Sequence, residues 1–225
     1  MSPRSLRAVT FQPIGPDSSF DAILRSEVLP GLLACPDVVD AWQGRRGTGD
    51  GSHVLVSTWH DGWAGDPDEA PDLRLLHSPG LAVLGGVDVV SVEQLEIAVH
   101  ARFGRAEPAR VLRVFHGTTL PGELSDYVAE ARAGMTEDAQ INDGLVSFVL
   151  AHDGNDRFIS ASTWTTWSAI ESATGGNTRQ PFATRNPRHL ATFRIVHLEL
   201  LPESPVRAGL LDEDRARGGT LEPAT

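Results

Sequence analysis

One local pattern occurs twice in this chain. His53–Trp63 reads HVLVSTWHDGW and Arg157–Trp167 reads RFISASTWTTW. Ser-Thr-Trp therefore stands at 57–59 and again at 162–164, 105 positions further on. Stacked repeat units run to about 20–50 residues, so a period this long points to a duplicated small domain. Other landmarks keep the same order. At that spacing Val9 falls on Val114 and Phe11 on His116, inside the apolar runs that open each half. An apolar run holding an aromatic precedes each tripeptide, DVVDAWQG at 37–44 and DGLVSFVL at 143–150. A β-rich run closes each half, at 88–99 and 190–201. The register between landmarks drifts by one residue, as small length changes in turns allow.

Residue patterns give each half the same element order. In the first, the run 6–14 predicts a strand ended by Pro16-Asp17. Asp17 or Ser18 can cap a helix by accepting a backbone N–H bond. Phe20, Ile23, Leu24 and Val28 then recur at helical spacing. Pro30-Gly31 should end or kink that helix. Val38–Arg45 and His53–Trp59 predict a hairpin across GTGDGS. A short helix is expected near 73–77 and no other element between 65 and 87. In the second half, 111–118 predicts a strand and Pro121 marks the approach to a helix. Leu124, Tyr127, Val128 and Ala131 form its buried stripe. Leu145–His152 and Arg157–Trp164 predict a hairpin across DGND. Trp167 and Ile170 begin a short helix that Gly175-Gly176 stops.

Each half thus reads β-α-β-β-α-β, the ferredoxin-like order. Such a unit covers one sheet face with its helices and must cover the other face with something else. The expected fold is α+β, two ferredoxin-like repeats forming a pseudo-two-fold α/β barrel. Its parts are a first repeat over 1–105, a second over 106–203 and a flexible tail over 204–225 that is rich in Gly, Pro and charge. The segment 101–108 is the expected linker.

Bulk chemistry excludes several function classes. The formal net charge is −11, and the largest basic cluster seen is Arg45-Arg46. Nucleic acid and anionic membrane surfaces need a basic footprint, so neither is expected as a partner. A single cysteine, Cys35, excludes an internal disulfide and a Cys-based metal cluster. No apolar run approaches the length of a membrane span or a secretory signal core, so a cytoplasmic protein is expected. Metal-ligand spacings, phosphate-binding glycine fingerprints and a serine nucleophile elbow are all missing.

The run STWTTWSAIESATGG, followed by PFATRNPRHL and FRIVHLELL, resembles the antibiotic biosynthesis monooxygenase superfamily of dimeric α/β barrels. The resemblance spans 5–202 in two copies and is stronger in the second half. It implies a pocket bordered by Trp164, with Trp59 as its counterpart. The superfamily includes cofactor-independent quinone-forming monooxygenases and heme-degrading monooxygenases. Heme-degrading members use a His on the short second helix and an Asn on the first strand. Here His77 is the matching helix residue, but the first strands carry Gln12 and His116 and no Asn, which counts against the familiar heme route.

Candidate site residues follow. Trp164 and Trp167 flank a strand-to-helix turn and could pack the core or stack on a flat aromatic ligand. His116 and His197 lie on apolar strands, where an imidazole is either a hydrogen-bonded core group or an acid/base near neutrality. Arg188 and His189 adjoin a loop and are expected to be solvated. The loop 175–187 holds Arg179 and Arg185, which either face solvent or close on a carboxylate, phenolate or propionate. The leading expectation is a small-molecule monooxygenase acting on an aromatic substrate with no cofactor, using His116 and His197 for proton transfer. Trp164, Trp167, Arg179, Arg185 and Trp59 would hold the substrate. A second is a heme protein with His77, or a second-half His, as axial ligand. A third is a non-catalytic ligand-binding barrel. The repeats would act as an intramolecular pseudo-dimer, with homodimerisation left open.

Overall fold

The computed structural model describes residues 2–14, 17–45, 51–61, 69–182, 187–200 and 222–223. Residues 47–50 of the predicted GTGDGS turn and nearly all of the 204–225 tail lie outside them. The fold is α+β. Its strands are β1 (Ser5–Pro13), β2 (Val38–Arg45), β3 (His53–Trp59), β4 (Val87–Arg102), β5 (Val111–Thr119), β6 (Leu145–His152), β7 (Arg157–Trp164) and β8 (Leu190–Leu200). They hydrogen-bond in the order β1-β3-β2-β8-β5-β7-β6-β4, and β1 also pairs β4, so the order closes on itself. Every register resolved along it is antiparallel. A two-residue β9, Glu222–Pro223, lies beside His100 and Val99 of β4.

The described residues group into two units, one of 3–94 with 198–200 and one of 95–197 with 2 and 222–223. The change of unit falls within β4 and within β8. Unit one holds the strand order β4-β1-β3-β2-β8 and unit two the order β8-β5-β7-β6-β4.

In unit one, α1 (Asp17–Ile23) runs into a widened π turn, Leu24–Val28, and on into α2 (Leu29–Leu33). The helix therefore passes through Pro30 instead of stopping there. A proline ring clashes with the carbonyl one turn back and has no N–H to give. The π turn removes that conflict: Leu29 N–H reaches back to Leu24 O, which loosens the helix just before the proline. The expected short helix forms as α3 (Pro71–Leu76), and an unforeseen α4 (Pro79–Val83) follows it. Val9, Phe11, Leu55 and Trp59 on one sheet face pack against Phe20, Leu24, Val28, Leu32, Leu73 and Leu76 of these helices.

In unit two, α5 (Leu124–Ile141) and α6 (Trp167–Ala173) cover the corresponding face. Phe115, Phe158 and Trp164 pack there with Ala131, Met135, Ile170 and Phe182. Thr166 caps α6 by accepting the Ala169 N–H. Gly175 and Gly176, at φ 64° and 88°, turn the chain out of the helix, a conformation that side-chain-bearing residues resist. The stripe of α5 is as expected at Leu124 and Ala131, with Tyr127 and Val128 partly buried.

Each unit repeats one small arrangement on its helix-facing side. Trp59 Nε1 donates to Ser57 Oγ at 2.9 Å, and Trp164 Nε1 donates to Ser162 Oγ at 2.9 Å. Directly across from those serines stand two arginines, Arg7 opposite Ser57 and Arg113 opposite Ser162. Measured from Ser-Thr-Trp, the first strands are therefore offset by one residue from the 105 spacing, so Val9 corresponds in register to Phe115, not Val114. Arg7 is 1 % exposed and Asp72 of α3 is 0 % exposed. Their bond is bidentate, Nε to Oδ2 at 2.8 Å and Nη2 to Oδ1 at 3.1 Å, and Nη1 adds Gln94 at 2.8 Å.

Breaking one side of such a buried pair strands the other charge, at about 3–5 kcal/mol. Arg7→Met should lose about that much stability in urea unfolding, and Arg7→Met with Asp72→Leu should recover most of it. A loss below about 1 kcal/mol in the single variant would show that the pair does not hold α3 to the sheet.

Candidate functional site

Unit two leaves its arginine in a different state. Arg113 is 3 % exposed. Nη2 donates to the Gln180 carbonyl at 2.6 Å. The guanidinium lies 5.1 Å from the Phe182 ring centre and 5.8 Å from that of Phe115. Nε has no hydrogen-bond partner, and no carboxylate pairs with this group among the described residues. Burial pushes its pKa down to about 10, with the Tyr127 phenol pulling the other way. It remains a cation at neutral pH, supported by rings and one carbonyl where Arg7 has a carboxylate and an amide.

His197 sits on the same side of the unit-two sheet. The Phe193 ring meets Phe115 at 5.4 Å, so the helix-facing side of β8 carries Phe193 and, four residues on, His197. The imidazole packs on Trp167 at 5.0 Å. Its Nε2 is buried with no partner among the described residues. Burial, then the charges of Arg113 and Arg179, push its pKa down to about 4. At neutral pH it is an uncharged imidazole able to accept a proton. Trp167 is 48 % exposed and Phe193 39 % exposed, so flat apolar surface flanks it on the solvent side.

The expected site residues divide on these grounds. His197, Trp167 and Arg179 fall together with Arg113. His116 does not: it follows Phe115 by one position, so strand alternation turns it to the opposite face of the sheet. Trp164 is wholly buried, bonded to Ser162 and edge-on to Phe182 at 5.5 Å. It is a packed wall behind Arg113's neighbour. Trp59 is likewise buried and satisfied in unit one. Arg185 lies outside the described residues.

His77 caps α3 with Nδ1 at 2.9 Å from the Leu73 carbonyl, and its side chain is exposed. The face of α3 that looks at the sheet carries Asp72, Leu73 and Leu76, all buried. The Nδ1 of His77 is thus engaged at the end of its own helix, away from the buried Arg7–Asp72 pair.

Two features escaped the residue patterns. Arg113 stands in the run VLRVF, and its partner signal was SLRAV at Arg7: a lone charge in matching apolar strands. His189 is not solvated. It is 2 % exposed, with Nδ1 2.7 Å from Glu123 and Nε2 2.9 Å from Glu130 of α5. Both ring nitrogens are engaged, so it fastens α5 to the start of β8. Cys35 is not a nucleophile candidate: burial, then Asp37 and Asp72, pushes its thiol pKa up. A surface groove of about 440 Å³ beside α6 is lined by Arg105, Gly144, Thr165 and Ser168. The Arg105 guanidinium there is committed to the carbonyls of Leu145, Ala139 and Asn142. No group of His, Cys, Asp and Glu among the described residues could hold a metal ion, and no described helix is long and apolar enough to cross a membrane.

The fold has known counterparts. A candidate monooxygenase from Fusobacterium nucleatum subsp. nucleatum matches 100 % of this chain and 100 % of its own, with TM-score 0.66 and 10 % identity. An anthrone oxidase-like protein matches 92 % of this chain and 97 % of its own, with TM-score 0.56 and 13 % identity. A heme-binding protein from Thermus thermophilus matches 93 % and 96 %, with TM-score 0.54 and 8 % identity. At these identities the likeness establishes the fold alone. No protein-family model matches the chain, and no curated protein matches it in sequence.

The depressed pKa of His197 has a stability consequence. An unfolded histidine takes up its proton near pH 6.5, whereas the folded group waits until about 4. Between these values the unfolded chain holds more protons, so stability is full above pH 6.5 and falls as pH drops toward 4. His197→Phe should flatten that decline in unfolding midpoints. An imidazole NMR titration of His197 centred near 6.5 would refute the burial.

Proposed function

We propose that this chain is a duplicated ferredoxin-like protein that oxidises a small aromatic molecule in its second unit. The observation that carries the reading is the buried Arg113, paired with no carboxylate among the described residues, on the sheet face that also carries Phe193 and His197. The repeated Trp–Ser–Arg register supports the duplication. A cation of this kind favours an anion, and a neutral imidazole beside it favours taking the proton that makes one. The exposed faces of Trp167 and Phe193 suit a flat ring.

The matching chemistry is oxidation of an activated aromatic CH₂ or phenol by oxygen. His197 takes a proton, and Arg113 and Arg179 hold the resulting enolate or phenolate. The electron-rich anion passes one electron to O₂, the two radicals join through a C–O bond, and loss of water leaves a carbonyl. For an anthrone the sum is CH₂ + O₂ → C=O + H₂O, with no external reductant. The anthrone oxidase-like and monooxygenase neighbours share the fold on which this reading rests.

A second reading, heme, is favoured by one observation: Nε2 of His197 is uncharged and has no partner among the described residues, the state in which an imidazole can bind iron. His197 would then be the residue to hold the iron, and Arg113 and Arg179 the residues to pair with the propionates. Heme when bound would supply redox-active iron. The heme-binding neighbour shares the fold.

Oxygen uptake with anthrone and 1,4-naphthohydroquinone is expected, with His197→Ala lowering kcat by about 10²-fold or more. Uptake unchanged in that variant would remove His197 from the chemistry. A hemin titration giving a sharp Soret band at one equivalent, lost in His197→Ala, would favour heme. Neither uptake nor a Soret band would leave a passive binding protein.

A further inference from the structure

The two units carry the same buried arginine in two states, and the difference identifies a ligand group. Arg7 and Arg113 occupy one register position, each opposite the serine that holds a tryptophan. Around Arg7 the Nε edge is filled by the two coplanar oxygens of Asp72. Around Arg113 the Nε atom is equally buried and faces no acceptor among the described residues. A guanidinium withdrawn from water without an anion is unstable relative to one that has found its partner. Planar guanidinium forks favour two-oxygen acceptors over single ones.

We propose that Asp72 occupies in unit one the place that a ligand's planar two-oxygen anion takes in unit two. Arg113 Nε, with an adjoining Nη, receives a carboxylate or a β-hydroxy-ketone enolate, and unit one is closed to such ligands because its own chain supplies the carboxylate. This inference deepens the reading of unit two as the working site by naming the substrate class: a flat aromatic bearing a carboxylate or an equivalent chelate of two oxygens. Phe182 and Phe115 lie on the guanidinium and fix its plane. Gln180 accepts from Nη2, the nitrogen that with Nε makes the fork used in unit one, so the ligand meets Nε and the remaining N–H of Nη2.

The test pairs ligand binding with the stability of the free protein. 1-Hydroxy-2-naphthoate and its methyl ester are titrated calorimetrically into the wild-type chain, Arg113→Met and Arg7→Met. The acid should bind wild type at least 30-fold more tightly than the ester. Arg113→Met should bring the acid down to the level of the ester. The ligand-free Arg113→Met protein should melt at or above the wild-type Tm, because it loses an uncompensated buried charge, whereas Arg7→Met should melt below it. Failure of the wild type to prefer the acid, including no binding of either compound, overturns the proposal. So does an Arg113→Met protein that binds the acid as wild type does, or one that melts as low as Arg7→Met. An acid-selective, Arg113-dependent site in a protein that takes up no oxygen keeps this inference and rejects the oxidative reading.

Discussion

A guanidinium buried between a sheet and its helices sets the terms for both units. Water cannot solvate it, and it cannot shed its proton, so it must be answered by protein groups or by a ligand. Unit one answers from within. Asp72 enters on α3, takes two nitrogens of the Arg7 fork, and so fixes where that helix lies on the sheet. The surrounding helices then fill the remaining volume with Leu73, Leu76, Phe20 and their neighbours. Unit two places rings and a carbonyl around Arg113 and supplies no carboxylate among the described residues.

That asymmetry is what the proposal of a ligand site in unit two rests on. A closed ion pair is a structural fastening with no spare valence. An arginine left without a counter-ion stores unfavourable energy in the free protein, and a ligand that removes it gains affinity by the same amount. Violations of local stability rules concentrate at functional positions for this reason. The fastening role in unit two passes to another residue: His189 ties α5 to the sheet through Glu123 and Glu130. Arg113 is thereby freed from holding a helix.

The strands were readable because strand chemistry is local. The hairpin strands β2–β3 and β6–β7 begin and end where alternation and turn residues place them. Of the two outcomes expected at Pro30, an end or a kink, the α1–α2 segment shows a distortion, a π turn upstream that removes the clash a proline usually makes, and no residue pattern announces such a turn. His116 and His197 could not be sorted by face until the Phe115–Phe193 contact tied β8 to β5. His189 resembled a solvated loop residue because its two carboxylates lie about sixty residues away, at the N-cap of α5 and on the helix itself. Arg113 was visible in principle. A single charge within an apolar strand, matched by another in the companion half, is a stronger signal than the tryptophans of the repeated tripeptide, which proved to be satisfied core residues. Those tryptophans drew attention because they carry the repeat.

Arg113 and His197 constrain each other, and the constraint runs in a useful direction. In the free protein the positive charges of Arg113 and Arg179 reinforce burial and keep the imidazole neutral. An imidazole held that way is available to accept but is a weak base. An arriving acid changes the balance as it ionises, because its negative charge offsets the two arginines at the moment the proton moves. The resulting imidazolium then sits beside an anion that offsets the two cations, and its proton is held more firmly. The same anion satisfies Arg113. One proton transfer thus relieves two unfavourable features together, a stranded guanidinium and a depressed imidazole, and neither residue alone would couple ionisation to binding in this way. A molecule that brings its charge already formed would gain the arginine's share and leave His197 ready for a second, less acidic proton on the same ring system.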